Sequence, residues 1–521
     1  MRLADFAKDL GKEAGRAAAT RSIARLEKDH PVSAELLVLC AFLSPDRIPL
    51  DIIRRTAAGL PNDLKAAGAT PERFNEAVSP LLQFALAKRD GESLLVHRAV
   101  QAAVRERLGP GEQRTWIEAS LAMLDAALPA LPIHLGLDPE TARLYDRLAP
   151  HVLATTGFVT GEDWATPRVV RQLNEVGTHQ VVRGNLTAAF GFHQRALELA
   201  ERLLVRDPQS IEAQRGLARS LDGVGGVYSA QGRVDLARDA YERSLKLRER
   251  VSTMYPDSEA VQRALSTALD RLGGIHQEEG DLDAAYGLFQ RSLEICERVA
   301  EARPDDAAWK RDLSLALDNV AGIFWQRKDL PAAREAYVKS LAIRESLAAG
   351  EPENIGWQRD LSVALENIGD VHQHEGDFDL AHDYYRRSLV VTRRLVDADA
   401  GNADWQKDLS VALERMGTIH QLQGDSERAL RAYLESLEIS ERLTKEDPSN
   451  LDWRWDLSIT LANIGDTHRV MEKPDEALAA YRRSRSVVET VAQREPGPSK
   501  WRERSASLEG LVAKIQDELS E

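Results

Sequence analysis

Beyond residue 166, apolar residues return at steps of three and four along the chain, which is the signature of a buried helix face and not of an alternating strand. In one stretch the face runs through Leu409, Leu413, Met416, Ile419 and His420, breaks at Gly424-Asp425, and resumes through Ala429, Tyr433, Leu437 and Leu443. This predicts two helices joined by a tight turn, each roughly 30 Å long at about 1.5 Å per residue. The pattern repeats every 48 residues, marked by Trp309, Trp357, Trp405, Trp453 and Trp501. A period of this size means one supersecondary unit copied along the chain, each copy too small to bury its apolar face without a neighbour.

Aligned copies reveal constrained columns. One reads Gly177, Gly225, Gly273, Ala321, Gly369, Gly417 and Gly465, small enough for helix backbones to approach closely. Twelve residues on, Ala189, Ala237, Ala285, Ala333, Ala381, Ala429 and Ala477 never change; four further on stands a ring, from His193, Tyr241 and Phe289 to Tyr337, Tyr385, Tyr433 and Tyr481. Small residues facing rings predict a knob in a hole. Ser210, Ser258, Asp306, Asn354, Asn402 and Asn450 precede the first helices as expected N-caps. Two residues earlier sit Pro208, Pro256, Pro304, Pro352, Pro448 and Pro496, with Ala400 the exception, ending each preceding helix. Trp309, Trp357, Trp405 and Trp453 lie three residues beyond the caps, where a large side chain packs on the previous copy's second helix. Asp312, Asp360, Asp408 and Asp456 follow in the first helical turns, where negative charge suits the helix dipole.

These columns resemble the tetratricopeptide repeat, with Gly184-Asn185, Gly280-Asp281, Gly376-Asp377 and Gly424-Asp425 as its turns. The resemblance covers residues 166–521. It implies an all-α fold, a right-handed superhelix (α-solenoid) of seven 48-residue hairpins over 165–500, closed by a capping helix over 501–521. Both helices are lengthened relative to the usual 34-residue unit.

The first part of the chain follows other rules. Residues 1–30 read as a helical linker, 31–110 as a separate domain and 111–164 as a helical bridge. Ala34 to Leu43 is apolar on most sides and should be buried; Ile48-Pro49-Leu50-Asp51-Ile52-Ile53 opens a second helix, and Phe74 to Leu86 forms a third. Leu86-Ala87-Lys88 and Leu94-Leu95-Val96 read as strands joined by a Gly91 turn, the order of a winged helix. Residues 39–50 and Val96-His97-Arg98-Ala99-Val100-Gln101 resemble the winged-helix module of bacterial NB-ARC/STAND regulators, and Trp116 with Arg147 to Val152 resembles the bridge to their repeat array. The sequence has no Gly-x-x-x-x-Gly-Lys-Ser/Thr phosphate loop, so it resembles the C-terminal half of such a switch.

Charge and chemistry narrow the function. A net charge of −15 argues against broad attraction to nucleic acid or anionic membrane, and no run of eighteen apolar residues appears. Cys40 and Cys296 suffice for neither a disulfide framework nor a zinc site, which suits a reducing cytoplasm. His276, His372, His420 and His468 share one column, but first helices about 8–10 Å apart cannot close histidines on one metal. They and His97 are expected to be packing residues. No catalytic residue, metal or cofactor site is expected.

Transferring the family's groove positions implies partner contacts at Asn174, Asp222, Asp270, Asp318, Glu366 and Glu414, with Ala462 ending that column. A second column includes Gln277, Trp325, Gln373 and Gln421, with Trp325 as an aromatic anchor. Two readings of the acidic column stand: it attracts a basic or amide-rich partner, or it pairs with Lys and Arg of adjacent helices. Gly369, Ala381 and Tyr385 exemplify the structural set. The function expected is a non-enzymatic protein-interaction scaffold or sensor serving a signalling or defence switch. The alternative is a DNA-binding regulator that reads signals through its repeats, disfavoured because Glu72 to Ser79 carries little positive charge for a recognition helix.

Overall fold

A computed structural model describes residues 13–57, 60–129, 139–159, 166–448, 450–492 and 500–520. Residues 1–12 of the expected linker and Pro496 lie outside this set. The chain packs as two compact units, Met1–Glu279 and Gly280–Glu521.

The first unit opens with α1 (Glu13–Asp29), α2 (Pro31–Ala41), β1 (Ile48–Pro49), α3 (Leu50–Arg55), α4 (Asn62–Ala67), α5 (Pro71–Gln83), β2 (Lys88–Asp90), β3 (Ser93–Leu95) and α6 (Arg98–Arg107). The strands form an antiparallel sheet in the order β1-β3-β2, with Leu94 opposite Ile48 on one side and Arg89 on the other. Three differences from the sequence reading have physical causes. Ile48-Pro49 pairs as a strand, and Pro49, lacking an N–H, ends it at the sheet edge before α3 begins at Leu50. The hairpin starts at Lys88 because Leu86 and Ala87 turn inward as core residues. Helix α4 is only six residues long, too short for its periodicity to be legible.

The segment Leu36 to Leu43 is buried as expected, apart from the partly exposed Val38. Its carbonyl ends are satisfied from a distance, as a buried helix terminus requires. Gln101 Nε2 donates to Cys40 O (2.7 Å) and Leu43 O (3.1 Å), Arg105 donates to Ala41 O, and Thr155 Oγ1 donates to Phe42 O (2.9 Å). His97 Nδ1 caps α6 by accepting from Ala99 N at 3.2 Å, a structural role. Helices α7 (Pro110–Ala127) and α8 (Pro139–Gly157) follow; α8 ties to this domain through Arg147 and Asp51 (2.5 Å) and through His151 Nε2, 3.3 Å from Arg47 O. The first unit ends with α9 (Pro167–Val182), α10 (Leu186–Arg206), α11 (Ile211–Ala230), α12 (Val234–Met254) and α13 (Glu259–Glu278).

The second unit contains α14 (Leu282–Ala302), α15 (Ala307–Gln326), α16 (Leu330–Gly350), α17 (Ile355–Glu375), α18 (Phe378–Ala398), α19 (Ala403–Leu422), α20 (Ser426–Glu446), α21 (Leu451–Val470), α22 (Pro474–Ala492) and α23 (Lys500–Ser520). Within each unit successive helices pack as antiparallel hairpins. Helix α23 lies on α22 through Trp501, Leu508, Val512 and Ile515.

Each hairpin closes on the ring-over-glycine contact. A Cβ added at Gly369 or Gly417 would stand 2.5 Å from the ring of Tyr385 or Tyr433, and at Gly465 2.7 Å from Tyr481. Ala321 already carries that methyl, and Tyr337 opposite it is left partly exposed while Tyr385, Tyr433 and Tyr481 are fully buried. Trp309 is fully buried with Cys296 and Val299, whereas Trp357, Trp405 and Trp453 are half-buried; Trp453 packs on Ile439 and Leu443 of the preceding second helix.

Five of the six expected first-helix caps accept a backbone N–H; Ser258 does not. The turns hold a second set: Asn185, Asp281, Asp329, Asp377 and Asp425 cap the second helices. The glycine before most of these caps is left-handed, φ 72° at Gly184, 82° at Gly376 and 83° at Gly424, but Lys328 (63°) and Glu472 (56°) take the same conformation with a side chain. The first-turn aspartates also bridge copies. Asp360 pairs with Arg311, Asp408 with Arg359 (2.6 Å) and Asp456 with Lys407 (3.6 Å), each 49 residues apart.

Lys328→Gly and Glu472→Gly are each expected to stabilise the protein by roughly 0.5–1 kcal/mol, since an L side chain in this region costs about 1–2 kcal/mol and glycine loses part of that gain in the unfolded chain. A lower denaturation midpoint for either variant would refute the strain argument. Gly417→Ala is expected to destabilise by about 1–3 kcal/mol through overpacking. Combining it with Tyr433→Leu should cost less than the two single changes added, as a double-mutant cycle in urea would show.

Candidate functional site: the first-helix face

Within each unit, first helices pack on their own second helix and on the second helix of the preceding copy. In the acidic column Asn174 and Asp222 are buried, and Asp270, Asp318, Glu366 and Glu414 are partly buried. Asn174 is fully buried; its Nδ2 donates to Ser220 Oγ (2.9 Å) and its Oδ1 lies 3.1 Å from His193 Nδ1. Asp222 is buried against Arg248 and lies 3.2 Å from Arg271. Asp270 is partly buried. Asp318 meets Arg344 at 2.5 Å, and burial pushes its carboxyl above the usual range although Arg344 pulls the other way. Glu366 accepts from Ser388 Oγ (2.8 Å) and lies 3.3 Å from Arg415. Glu414 accepts from Ser436 Oγ (3.4 Å) and from Thr460. Burial pushes both glutamates up to about 7.

Among the described residues, Asp222, Asp318 and Glu366 meet arginines of adjacent helices, and Glu414 meets hydroxyls. Asp222 and Asp318 have arginine 26 residues later, Arg248 and Arg344, at one position of the second helix; the glutamate copies have Thr392 and Ser440 there and reach instead to the next first helix.

The second column stays nearer the surface. Gln277, Trp325, Gln373 and Gln421 are all partly exposed. The Tyr385 hydroxyl donates to Asp370 Oδ1 (2.6 Å) and lies 3.0 Å from Gln373 Oε1, while the Tyr433 hydroxyl lies 3.4 Å from Gln421 Oε1. These glutamines are therefore oriented by the same rings that close the hairpins. Trp325 meets His374 edge to face, with centroids 4.5 Å apart. The histidine column is packed: His372 stacks on Tyr384 (5.5 Å, 2° between planes), and His420 lies 5.2 Å from His382. No group of three or more His, Cys, Asp or Glu able to hold a metal occurs among the described residues. No helix among them is long and apolar enough to cross a membrane.

A carboxyl whose folded value is raised above its unfolded one costs stability as pH rises between the two, because the unfolded chain ionises first. Glu414 has hydroxyl partners, no cation lies within ion-pair reach among the described residues, and its window runs from about 4.5 to about 7. Glu414→Gln should therefore raise unfolding free energy by roughly 1–3 kcal/mol at pH 8 and change it little at pH 4. Equal effects at both pH values would contradict the assignment.

Comparison with known proteins bears on the repeats directly. Residues 263–346 and 360–442 match one family model described as tetratricopeptide repeat, and residues 217–252 match a second of that description. Residues 24–113 match a domain of unknown function, DUF7779. No curated protein matches the chain. Among solved structures, it is similar to a signal transduction ATPase with numerous domains (STAND) from Pyrococcus horikoshii that carries a tetratricopeptide repeat sensor. The identity is 14%, the match covers 94% of this chain and 64% of that one, and the TM-score is 0.51. BtubC from P. vanneervenii matches at 20% identity over 51% of this chain and 95% of its own, with a TM-score of 0.41. A Rap protein complexed with competence and sporulation factor matches at 15% identity over 85% and 96%, also at 0.41. The repeats of this chain are tetratricopeptide repeats, and its fold is an all-α tetratricopeptide solenoid.

Proposed function

We propose that this protein is a non-catalytic interaction scaffold or sensor that holds a peptide or protein partner on the solvent-facing side of its first helices. The observation that carries the reading is the row formed in the second unit by Trp325, Gln373 and Gln421. It is partly exposed and set at equivalent positions of successive first helices, with Gln373 and Gln421 held by the buried Tyr385 and Tyr433 and Trp325 held edge to face against His374. Side-chain amides both donate and accept, so a row of them suits the carbonyls and N–H groups of an extended, amide-rich segment, with an indole as apolar anchor. Asp318, Glu366 and Glu414 contribute by fixing the spacing of the helices that carry this row.

The sensor part of the reading is supported by the likeness to the Pyrococcus horikoshii protein, a STAND ATPase with a tetratricopeptide repeat sensor. The helix, strand, helices, hairpin and helix order of residues 31–107 suits the winged-helix module expected beside such a sensor. We assign it to relaying the sensor's state and not to reading DNA. Its hairpin arginine, Arg89, is tied to Asn75 Oδ1 and Gly91 O at 3.0 Å each, so its charge is engaged within the domain. Two buried free thiols, Cys40 and Cys296, suit action in a reducing cytoplasm.

The test is capture from an extract of the native host with the full chain, against a variant in which Trp325, Gln373 and Gln421 are alanine, read by quantitative mass spectrometry. At least one protein should fall tenfold or more with the variant while its thermal unfolding midpoint stays within a few degrees. Recovery of the same proteins in the same amounts would sink the assignment of this face.

A further inference from the structure

The two units present different chemistry at equivalent first-helix positions. In the second unit the position three residues after each first-turn aspartate is apolar: Leu315, Val363, Val411 and Ile459. The same column in the first unit reads Arg171, Arg219 and Thr267, and Arg215 stands one turn before Arg219 on α11. This is a basic island in a chain whose net charge is −15.

The ion-pair pattern shows which of these charges are already engaged. Arg171 pairs with Asp125 and lies 3.5 Å from Glu175. Arg248 is largely buried, pairs with Asp222 and donates to Ala264 O at 3.0 Å, and Arg271 shares Asp222 at 3.2 Å. Arg215 and Arg219 are exposed and have no carboxylate within ion-pair reach among the described residues. With Arg168, 3.5 Å from Asp125, six guanidiniums thus stand around three carboxylates among the described residues, Asp125, Glu175 and Asp222, and Arg215 and Arg219 are the exposed ones outside ion-pair reach. Burial raises the Glu175 carboxyl while Arg171 and Arg219 pull it down, and burial pushes His193 down to about 4, so it adds no charge. Burial lowers the pKa of Arg219, Arg248 and Arg215 act the same way, and the nearby Glu175 and Asp222 carboxylates oppose the shift.

We propose that this face of α9, α11 and α13 binds an acidic peptide segment, with Arg215 and Arg219 as its principal contacts. Guanidiniums take carboxylates in bidentate pairs. Arg215 and Arg219 are about 5–6 Å apart at Cβ as i, i+4 neighbours, and Arg171 lies on the adjacent first helix, roughly 8–10 Å away. An extended peptide places alternate side chains on one face about 7 Å apart, so acidic residues at every second position fit this spacing.

The proposal rests on the interaction reading above, and the probe is chosen to separate the two. A fluorescein-labelled dodecapeptide of alternating Glu and Ala, and its Gln-Ala counterpart, are titrated with the full chain by fluorescence anisotropy at 50 mM and 300 mM salt. The acidic peptide should bind with a dissociation constant below 1 mM at low salt, at least tenfold tighter than the glutamine peptide, and weaken as salt rises. R215Q/R219Q should weaken it tenfold or more with an unchanged melting temperature, while R250Q, at an exposed position of α12, should not. Equal affinity for both peptides, no binding, or indifference to R215Q/R219Q would overturn the proposal. So would a dodecathymidylate that binds as tightly as the acidic peptide, because the face would then be a general polyanion surface. Acidic-peptide binding that persists while host-protein capture is insensitive to Trp325, Gln373 and Gln421 would sink the earlier reading and leave this one standing.

Discussion

The hairpins with glycine at positions 177, 225, 369, 417 and 465 depend on an aromatic ring seated where the first helix has no side chain. The contact leaves no room for a methyl group at Gly369, Gly417 or Gly465, and the one copy that carries alanine lifts its tyrosine partly into solvent. Because packing interiors tolerate neither voids nor overlap, this fit sets both the separation of the two helices and their register. Register in turn decides which residues of neighbouring copies meet. The hydroxyl at the far end of the ring then reaches the polar residues of the first helix: Asp370 from Tyr385 and Asp466 from Tyr481, both at 2.6 Å, and Thr418 from Tyr433 at 3.0 Å. Core packing and the arrangement of the first-helix face are therefore one constraint.

Between copies, apolar contacts such as Trp453 on Ile439 and Leu443 are joined by polar ones. Carboxylates of the acidic column are taken up by arginines and hydroxyls of adjacent helices. Removing them from water holds Glu366 and Glu414 near neutrality in their own titration range. A column that reads as an acidic stripe is thus mostly internal structure. The groups left partly or fully exposed on the first helices are amides and an indole in the second unit, and Arg215 and Arg219 in the first.

The hairpins, their caps and the ring-over-glycine columns were legible because each depends on residues close in sequence or at one fixed period. Asn354, Asn402 and Asn450 cap as their position implies, and Gly376 and Gly424 take the left-handed turn. Ser258 makes no side-chain cap, and Lys328 and Glu472 hold a left-handed conformation, since the repeat geometry imposes the turn whichever residue occupies it. The strand at Ile48-Pro49 and the six-residue α4 are too short for any periodicity, and form only where Leu94 and the domain core are already placed.

The sequence by itself determined the repeat, the helix pairs and the small and aromatic residues that close them, because copies of one local pattern reinforce one another. Only the tertiary structure decided which charges face solvent. Asp222 with Arg248, Asp318 with Arg344 and Asp360 with Arg311 are 26 to 49 residues apart, and whether such groups neutralise each other depends on ångström distances between helices that a spacing in the chain does not contain.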